Sequence, residues 1–131
     1  MIVVDTSVWA DWFNGTATAH AERLDRALDR EVVGIAPIIL TEVLQGFRSD
    51  REFARAERLM SALPLLSLDA AGHVAAARLF RTLRRHGVTI RGAADCIIAH
   101  TCIAAAADLL TADRDFTAIA RHTTLRLCSV P

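Results

Sequence analysis

The stretch Ile2-Val3-Val4-Asp5-Thr6-Ser7-Val8-Trp9 contains in miniature the pattern that runs through the whole chain. Its β-branched run suits a short strand. Thr6 or Ser7 then suits the cap of a helix through Trp9, Trp12 and Phe13, which Asn14-Gly15 breaks. The same order recurs further on. Ala19–Arg30 reads as an amphipathic helix with Leu24 and Leu28 one turn apart, and residues 32–35 as a second strand. Pro37 suits the first turn of a helix running to Gln45 or Gly46. Residues 49–63 form a charged helix striped by Phe53, Ala56 and Met60. A third strand over 65–68 leads into a long helix from Asp69 to a left-handed cap at Gly87. Residues 92–107 read as an alanine-rich, mostly buried helix, 109–111 as a fourth strand, 113–120 as a short helix and 125–128 as a fifth strand. This alternation predicts an α/β fold: one three-layer domain over residues 1–131, its central parallel five-stranded sheet flanked by helices on both faces.

Composition narrows the function classes. The 131 residues are 53% hydrophobic and 23% charged, enough apolar content for a globular core that buries roughly two-thirds of the unfolded surface. Fifteen basic and fifteen acidic side chains cancel, which argues against coating a nucleic acid or an anionic membrane by bulk charge. All fifteen basic residues are arginine. The absence of lysine excludes P-loop phosphate binding and Schiff-base chemistry. Cys96, Cys102 and Cys128 are odd in number, form no CxxC pair and sit among aliphatic residues, as buried thiols in a reducing cytosol would. The amino terminus meets Asp5 with no basic leader, so no signal peptide is expected there. The longest apolar stretch, residues 93–110, carries Asp95, His100 and Asp108 and is too short and too charged to span a bilayer. A soluble cytoplasmic protein is the expectation.

The carboxylates fall into two populations. Glu22, Asp25, Asp29, Glu31, Asp50, Glu52 and Glu57 each have an arginine within four positions, as on solvated helix faces. Asp5, Glu42, Asp95 and Asp113 stand apart, among aliphatic residues in four separate elements. Isolated charges in apolar surroundings are costly unless paired, hydrogen-bonded or bound to metal. Asp5, Asp95 and Asp113 could each cap a helix, but Glu42 lies inside one. Asp115 fits the helix macrodipole or a supporting role. Asp5 and Asp113 follow the first and fourth strands, so adjacency of those strands would make their carboxylates converge where open parallel sheets form sites. At roughly 5 Å and an effective dielectric near 20, each ionised pair repels by about 3 kcal/mol. Such a cluster calls for a cation, and oxygen ligands without a histidine pair or cysteine set favour Mg2+ or Mn2+ over zinc.

At these residues the sequence resembles the PIN-domain family. The motifs are Asp5-Thr6-Ser7-Val8-Trp9, Thr41-Glu42-Val43-Leu44-Gln45-Gly46, Asp95-Cys96-Ile97-Ile98-Ala99 and Leu110-Thr111-Ala112-Asp113-Arg114-Asp115-Phe116, in order across nearly the whole chain. The likeness is nearest to VapC-type ribonuclease toxins of type II toxin–antitoxin systems. The resemblance implies a Mg2+-dependent endoribonuclease, with Mn2+ able to substitute, cleaving RNA by metal-activated water; tRNA or rRNA is the expected substrate. By position Asp5, Glu42, Asp95 and Asp113 match the family's acidic quartet, with Asp5 and Asp95 expected to hold metal most directly. Glu42 and Asp113 would orient metal-bound water or a second ion. Asp115 matches a further acid found in part of the family and joins them among the implied metal-holding residues, and Ser7 and Thr111 match hydroxyls beside the site. The resemblance also implies a small VapB-like antitoxin, bound along the first helices as a homodimer or hetero-oligomer.

Arg91, four residues before Asp95, is placed to meet a substrate phosphate, and Arg78, Arg81, Arg84 and Arg85 form a stripe on the long helix. Trp9, Trp12 and Phe13 form an aromatic run expected near the helix containing Phe53. The alternative reading is a catalytically inactive PIN-like protein-interaction domain, against which the intact quartet argues. Other acidic α/β enzymes fit less well. Haloacid-dehalogenase-like phosphatases need a second aspartate where Ser7 stands, receiver domains need a lysine, and Toprim-like nucleases need glutamate in place of Asp5. Setting aside Asp5, Glu42, Asp95, Asp113 and Asp115 leaves ten acids against fifteen arginines, so net neutrality conceals an acidic pocket in a mildly basic body.

Overall fold

The computed structural model describes residues 1–131. Along the chain run β1 (Ile2–Val4), α1 (Thr6–Phe13), α2 (Ala19–Arg30), β2 (Val33–Gly34), α3 (Pro37–Gln45) and α4 (Asp50–Ser61). They are followed by α5 (Ala70–Arg85), α6 (Ala93–Ala105), β3 (Asp108–Leu110) and α7 (Asp115–Arg121). Local chemistry sets many of these bounds. Thr18, Ser49 and Asp69 cap α2, α4 and α5 by accepting a hydrogen bond from the third backbone N–H beyond each. Pro37 opens α3, and Gly87 at φ +76° turns the chain after α5 as expected. The cap of α1 is Asp5, whose side chain accepts from the Thr6 N–H, and not Thr6 or Ser7. α6 stops two residues early because Ala106 adopts φ 52°, a left-handed conformation that ends a helix.

The sheet is all parallel in the order β2-β1-β3, with Ile2 opposite Val33 and Asp108, and Val4 opposite Leu110. The expected five strands are three. Residues 65–68 and 125–128 each contribute a single parallel bridge, Leu65 to Ile35 and Leu127 to Leu109, on the two outer flanks. β2 is two residues long and cannot template a longer neighbour, and Leu65 is 55% exposed, so no apolar face holds that segment flat.

Counting those bridges, the extended segments run 65, β2, β1, β3, 127 across the sheet. Crossovers through α1–α2 and α3–α4 step one way, and those through α5–α6 and α7 step the other. Right-handed connections therefore lay the two helix groups on opposite faces. Packing agrees: α1 touches α2 and α3, α3 touches α4, and α6 touches α5 and α7. β1 is fully buried between the layers, as a central parallel strand requires. Trp9, Leu24, Ile39 and Met60 fill the core from the first group, and Leu83, Ile98, Phe116 and Ile119 from the second. Trp9 stacks on Phe13 at 5.8 Å, and Phe13 meets Phe47 edge-on at 5.3 Å. Phe47 in the α3–α4 connection thus takes the place expected for Phe53, which is exposed. Cys96 and Cys102 are buried, Cys128 is half-buried, and all three are free. No helix is long and apolar enough to cross a membrane.

The direction of crossover reverses between β1 and β3. In an open parallel sheet the crevice beyond the carboxyl ends of strands at such a reversal is where ligands bind. Asp5 follows β1 there, and Asp113 follows β3.

Candidate active site

A cleft of about 460 Å³ opens at this point, and Asp5, Ser7, Glu42, Arg91, Asp95, Asp113 and Asp115 all line it. The four isolated carboxylates thus arrive from four elements: the end of β1, the middle of α3, the first turn of α6 and the turn after β3. The adjacency of the two strands brings Asp5 and Asp113 to one place.

Asp5 is the buried one. Its Oδ1 accepts from the Thr6 N–H at 2.8 Å and its Oδ2 from the Thr111 hydroxyl at 2.8 Å. Burial pushes its carboxyl above the usual range; the bonds from Thr111 and Thr6 oppose that rise, and the Asp113 charge adds to it. Thr111 has a second task, since its hydroxyl oxygen accepts from the Asp113 N–H at 3.0 Å. Asp113 in turn accepts from the Asp115 N–H at 2.9 Å, so one hydroxyl and one carboxylate shape the turn that leads into α7. Glu42 accepts from the Thr6 hydroxyl at 3.3 Å. Thr6 therefore joins Asp5 to Glu42 across 36 positions of sequence. Sequence reasoning read Thr6 only as a helix cap, because its second partner is distant along the chain.

Asp95 sits in the first turn of α6 and caps nothing; the cap position is Gly92, which has no side chain. Its carboxyl is pushed up to about 6, first by burial and then by the like charges of Asp113, Asp5, Asp115 and Glu42. Asp95, Asp113 and Asp115 each offer an oxygen within 4.8 Å of the others. Of the Asp5–Asp95 pair that the resemblance implied as the most direct metal holders, this trio contains Asp95 and not Asp5, with Asp113 and Asp115 beside it. Asp5 has one lone-pair direction on each oxygen already engaged, whereas Asp115 belongs to the closest set.

No arginine lies within ion-pair distance of any of these carboxylates; the chain makes two ion pairs, Arg23–Glu31 and Arg126–Asp108. Arg91 lines the cleft with an exposed side chain, and the exposed Ser7 lines it beside Asp113. Neither histidine nor cysteine lines it. The thiols are poor nucleophiles in any case, because burial pushes Cys96 and Cys128 up to about 11 and Cys102 up to about 12. Burial also pushes His100 down, favouring its neutral form. An all-oxygen donor set with mutual repulsion fits a hard divalent cation, and Asp95, Asp113 and Asp115 are placed to hold one.

Comparisons with known proteins bear on the family and the fold. The family model described as PIN domain matches residues 2–122. Ribonuclease VapC11 of Mycobacterium tuberculosis (strain ATCC 25618 / H37Rv) is 39% identical over a 133-residue alignment covering 98% of each chain. VapC ribonuclease Mb1587 of Mycobacterium bovis matches to the same extent. Among solved structures, VapBC2 of Rickettsia felis, bound to a DNA fragment from its promoter, superposes with TM-score 0.76 at 21% identity, over 98% of both chains.

Proposed function

The chain belongs to the PIN-domain family, among its VapC ribonucleases, and from that premise we propose that it is a Mg2+-dependent endoribonuclease. In this reading it is the toxin of a toxin–antitoxin pair, held in check by a small VapB-like antitoxin and acting in the cytoplasm on tRNA or rRNA. One observation carries the reading: five carboxylates, from the ends of β1 and β3 and from α3, α6 and α7, line a single cleft with no arginine paired to any of them. A pocket of that kind is costly by itself and useful around a divalent cation.

Asp95, Asp113 and Asp115 would hold the ion, with Asp5 and Glu42 completing the oxygen donors around it or around a second ion. Bound Mg2+, for which Mn2+ substitutes, supplies a lower pKa to water and stabilises charge at phosphorus. The chain's own residues orient the reactants. Thr111 and Thr6 fix the two oxygens of Asp5, and Thr6 steadies Glu42. Arg91 meets a phosphate of the substrate at the cleft mouth. Water adds to phosphorus, the P–O3′ bond breaks and the 3′ oxygen takes a proton, leaving a 5′-phosphate and a 3′-hydroxyl. The ribose 2′-hydroxyl is not needed.

The test is mapping of 5′ ends in cellular RNA after brief induction, comparing the wild type with Asp95→Asn. New 5′-phosphate ends at defined positions, absent from Asp95→Asn, are the expected result. If the purified wild type cleaves no RNA with Mg2+ or Mn2+, the enzymatic reading fails and an interaction domain remains.

A further inference from the structure

The acidic cleft does not end at Arg91. It opens into a depression of about 580 Å³ that shares Ser7, Arg91, Asp113 and Asp115 with it and adds Thr89. Thr89 also walls a third depression, of about 180 Å³, whose far side is Phe80 and Arg84. The first two share four residues and the third adjoins the second at Thr89, so the three lie in succession along a path from the carboxylates to the last turns of α5.

The far end of that path has a specific chemistry. The Arg84 guanidinium carbon lies 5.7 Å from the centre of the Phe80 ring, so the cation rests on the aromatic face. Arg84 is exposed and makes no ion pair, and α5 carries Arg78, Arg81, Arg84 and Arg85 without a single acid. The ring takes up one side of the cation, and the exposure of Arg84 leaves the rest of its planar guanidinium open to a ligand. A base can stack on the face while a phosphate takes the edge. An acidic peptide would use the charge and leave the flat face idle.

We propose that this path seats a single-stranded flank of the RNA substrate, with Arg91 on a phosphate beside the cleft and the Arg84–Phe80 pair as a platform for a nucleotide further along. The assignment rests on the endoribonuclease reading and extends it to the positioning of substrate.

The experiment uses the full chain carrying Asp95→Asn, with Mg2+ present, and a labelled single-stranded 12-nucleotide RNA of mixed sequence, read by fluorescence anisotropy. Arg84→Gln weakens binding about five- to tenfold and makes the slope of log affinity against log salt shallower by about 0.7. Arg84→Lys restores the slope but leaves affinity about threefold down, because charge returns without the planar face. Arg55→Gln, an equal loss of charge on the exposed side of α4, changes affinity less than about twofold. The platform is overturned if Arg84→Gln binds like its parent, if Arg55→Gln is as damaging, or if Arg84→Lys recovers fully. A labelled glutamate-rich 12-residue peptide that binds as tightly as the RNA, with the same dependence on Arg84, would assign the path to protein instead. Cleavage of the same RNA by the chain with Asp95 intact separates the two readings. Cleavage with Arg84-insensitive binding removes the platform alone; Arg84-sensitive binding without cleavage removes the nuclease alone.

Discussion

At the amino ends of the strands, Glu31 just before β2 and Asp108 at the start of β3 each accept from an arginine, Arg23 at 2.6 Å and Arg126 at 2.7 Å. At the carboxyl ends, Asp5, Glu42, Asp95, Asp113 and Asp115 share one cleft and have no such partner. The two ends shift their carboxyls in opposite directions. The hydrogen bond from Arg23 holds Glu31 below the usual range, while burial and like charges push Asp95 up to about 6. Arginine is not scarce, since thirteen of the fifteen enter no ion pair. One end of the sheet is neutralised by the chain itself; the other is left to be neutralised by what binds there.

The largest effect expected from this contrast is on catalysis. Asp95→Asn or Asp5→Asn lowers Mg2+-dependent RNA cleavage by about 10²–10³-fold or more, the scale for removing one group that stabilises transition-state charge. Glu31→Gln, the same loss of charge at the other end, leaves the rate within about twofold. Single-turnover rates on one defined RNA fragment measure both. Equal losses from the two substitutions would erase the distinction between the ends.

The acidic end was legible in the sequence to an unusual degree. Asp5 and Asp113 could be placed at strand ends from local pattern, but their convergence depended on the adjacency of those strands, which only the family resemblance implied. The starts of α2, α4 and α5 were legible to within a residue because capping is settled within four residues. The outer strands were not, since strand length depends on what lies alongside, and β2 offers two residues to pair with. Thr6 was missed as a brace for Glu42, and the sequence did not say which of the five acids form the closest oxygen trio, for a related reason. Both depend on side chains meeting across a tertiary gap or a particular turn, which no local pattern encodes. The pairing of Phe13 with Phe47 in place of Phe53 is the same lesson in the core.

Next in size is the response to metal. Mg2+ at about a hundred times its dissociation constant stabilises the fold by about 3 kcal/mol if it binds the native cleft alone. Thermal unfolding with and without Mg2+ shows it as a rise in Tm. Asp113→Asn removes most of the rise and Glu31→Gln none. A rise that survives Asp113→Asn would move the ion away from the Asp95–Asp113–Asp115 trio.

Smaller again is the pH dependence of the metal-free protein. A carboxyl raised in the native state favours folding when protonated. The stabilisation from Asp95 is therefore full below its unfolded value near 4 and is lost as pH rises through about 6. After allowance for solvent screening of a half-buried group, the loss is about 1–2 kcal/mol. Asp5, raised in the same direction, adds to it. Denaturant unfolding in chelator at pH 4.5 and pH 7 measures the difference, and Asp95→Asn shrinks it. A wild type that gains stability across that window would show that burial does not penalise the Asp95 charge.

The smallest effect belongs to the amino end, and its sign is opposite. Glu31 has a lowered carboxyl, so its contribution is present above the usual glutamate value and fades as pH falls through the native one. Its partner Arg23 is 20% exposed and Glu31 itself 36%, which keeps the pair within the range of about 0–1 kcal/mol measured for surface ion pairs. Arg126–Asp108 is more exposed still, at 64% and 41%, and contributes less. Arg23→Gln therefore costs under about 1 kcal/mol at pH 7 and less as the pH is lowered, without changing the midpoint for Mg2+. Falling pH thus strengthens the metal-free acidic end while weakening the paired end, so the double variant Asp95→Asn, Arg23→Gln has a flatter stability profile than either single variant. Strictly additive changes in unfolding free energy are expected, because the two groups lie at opposite ends of the strands and share no partner.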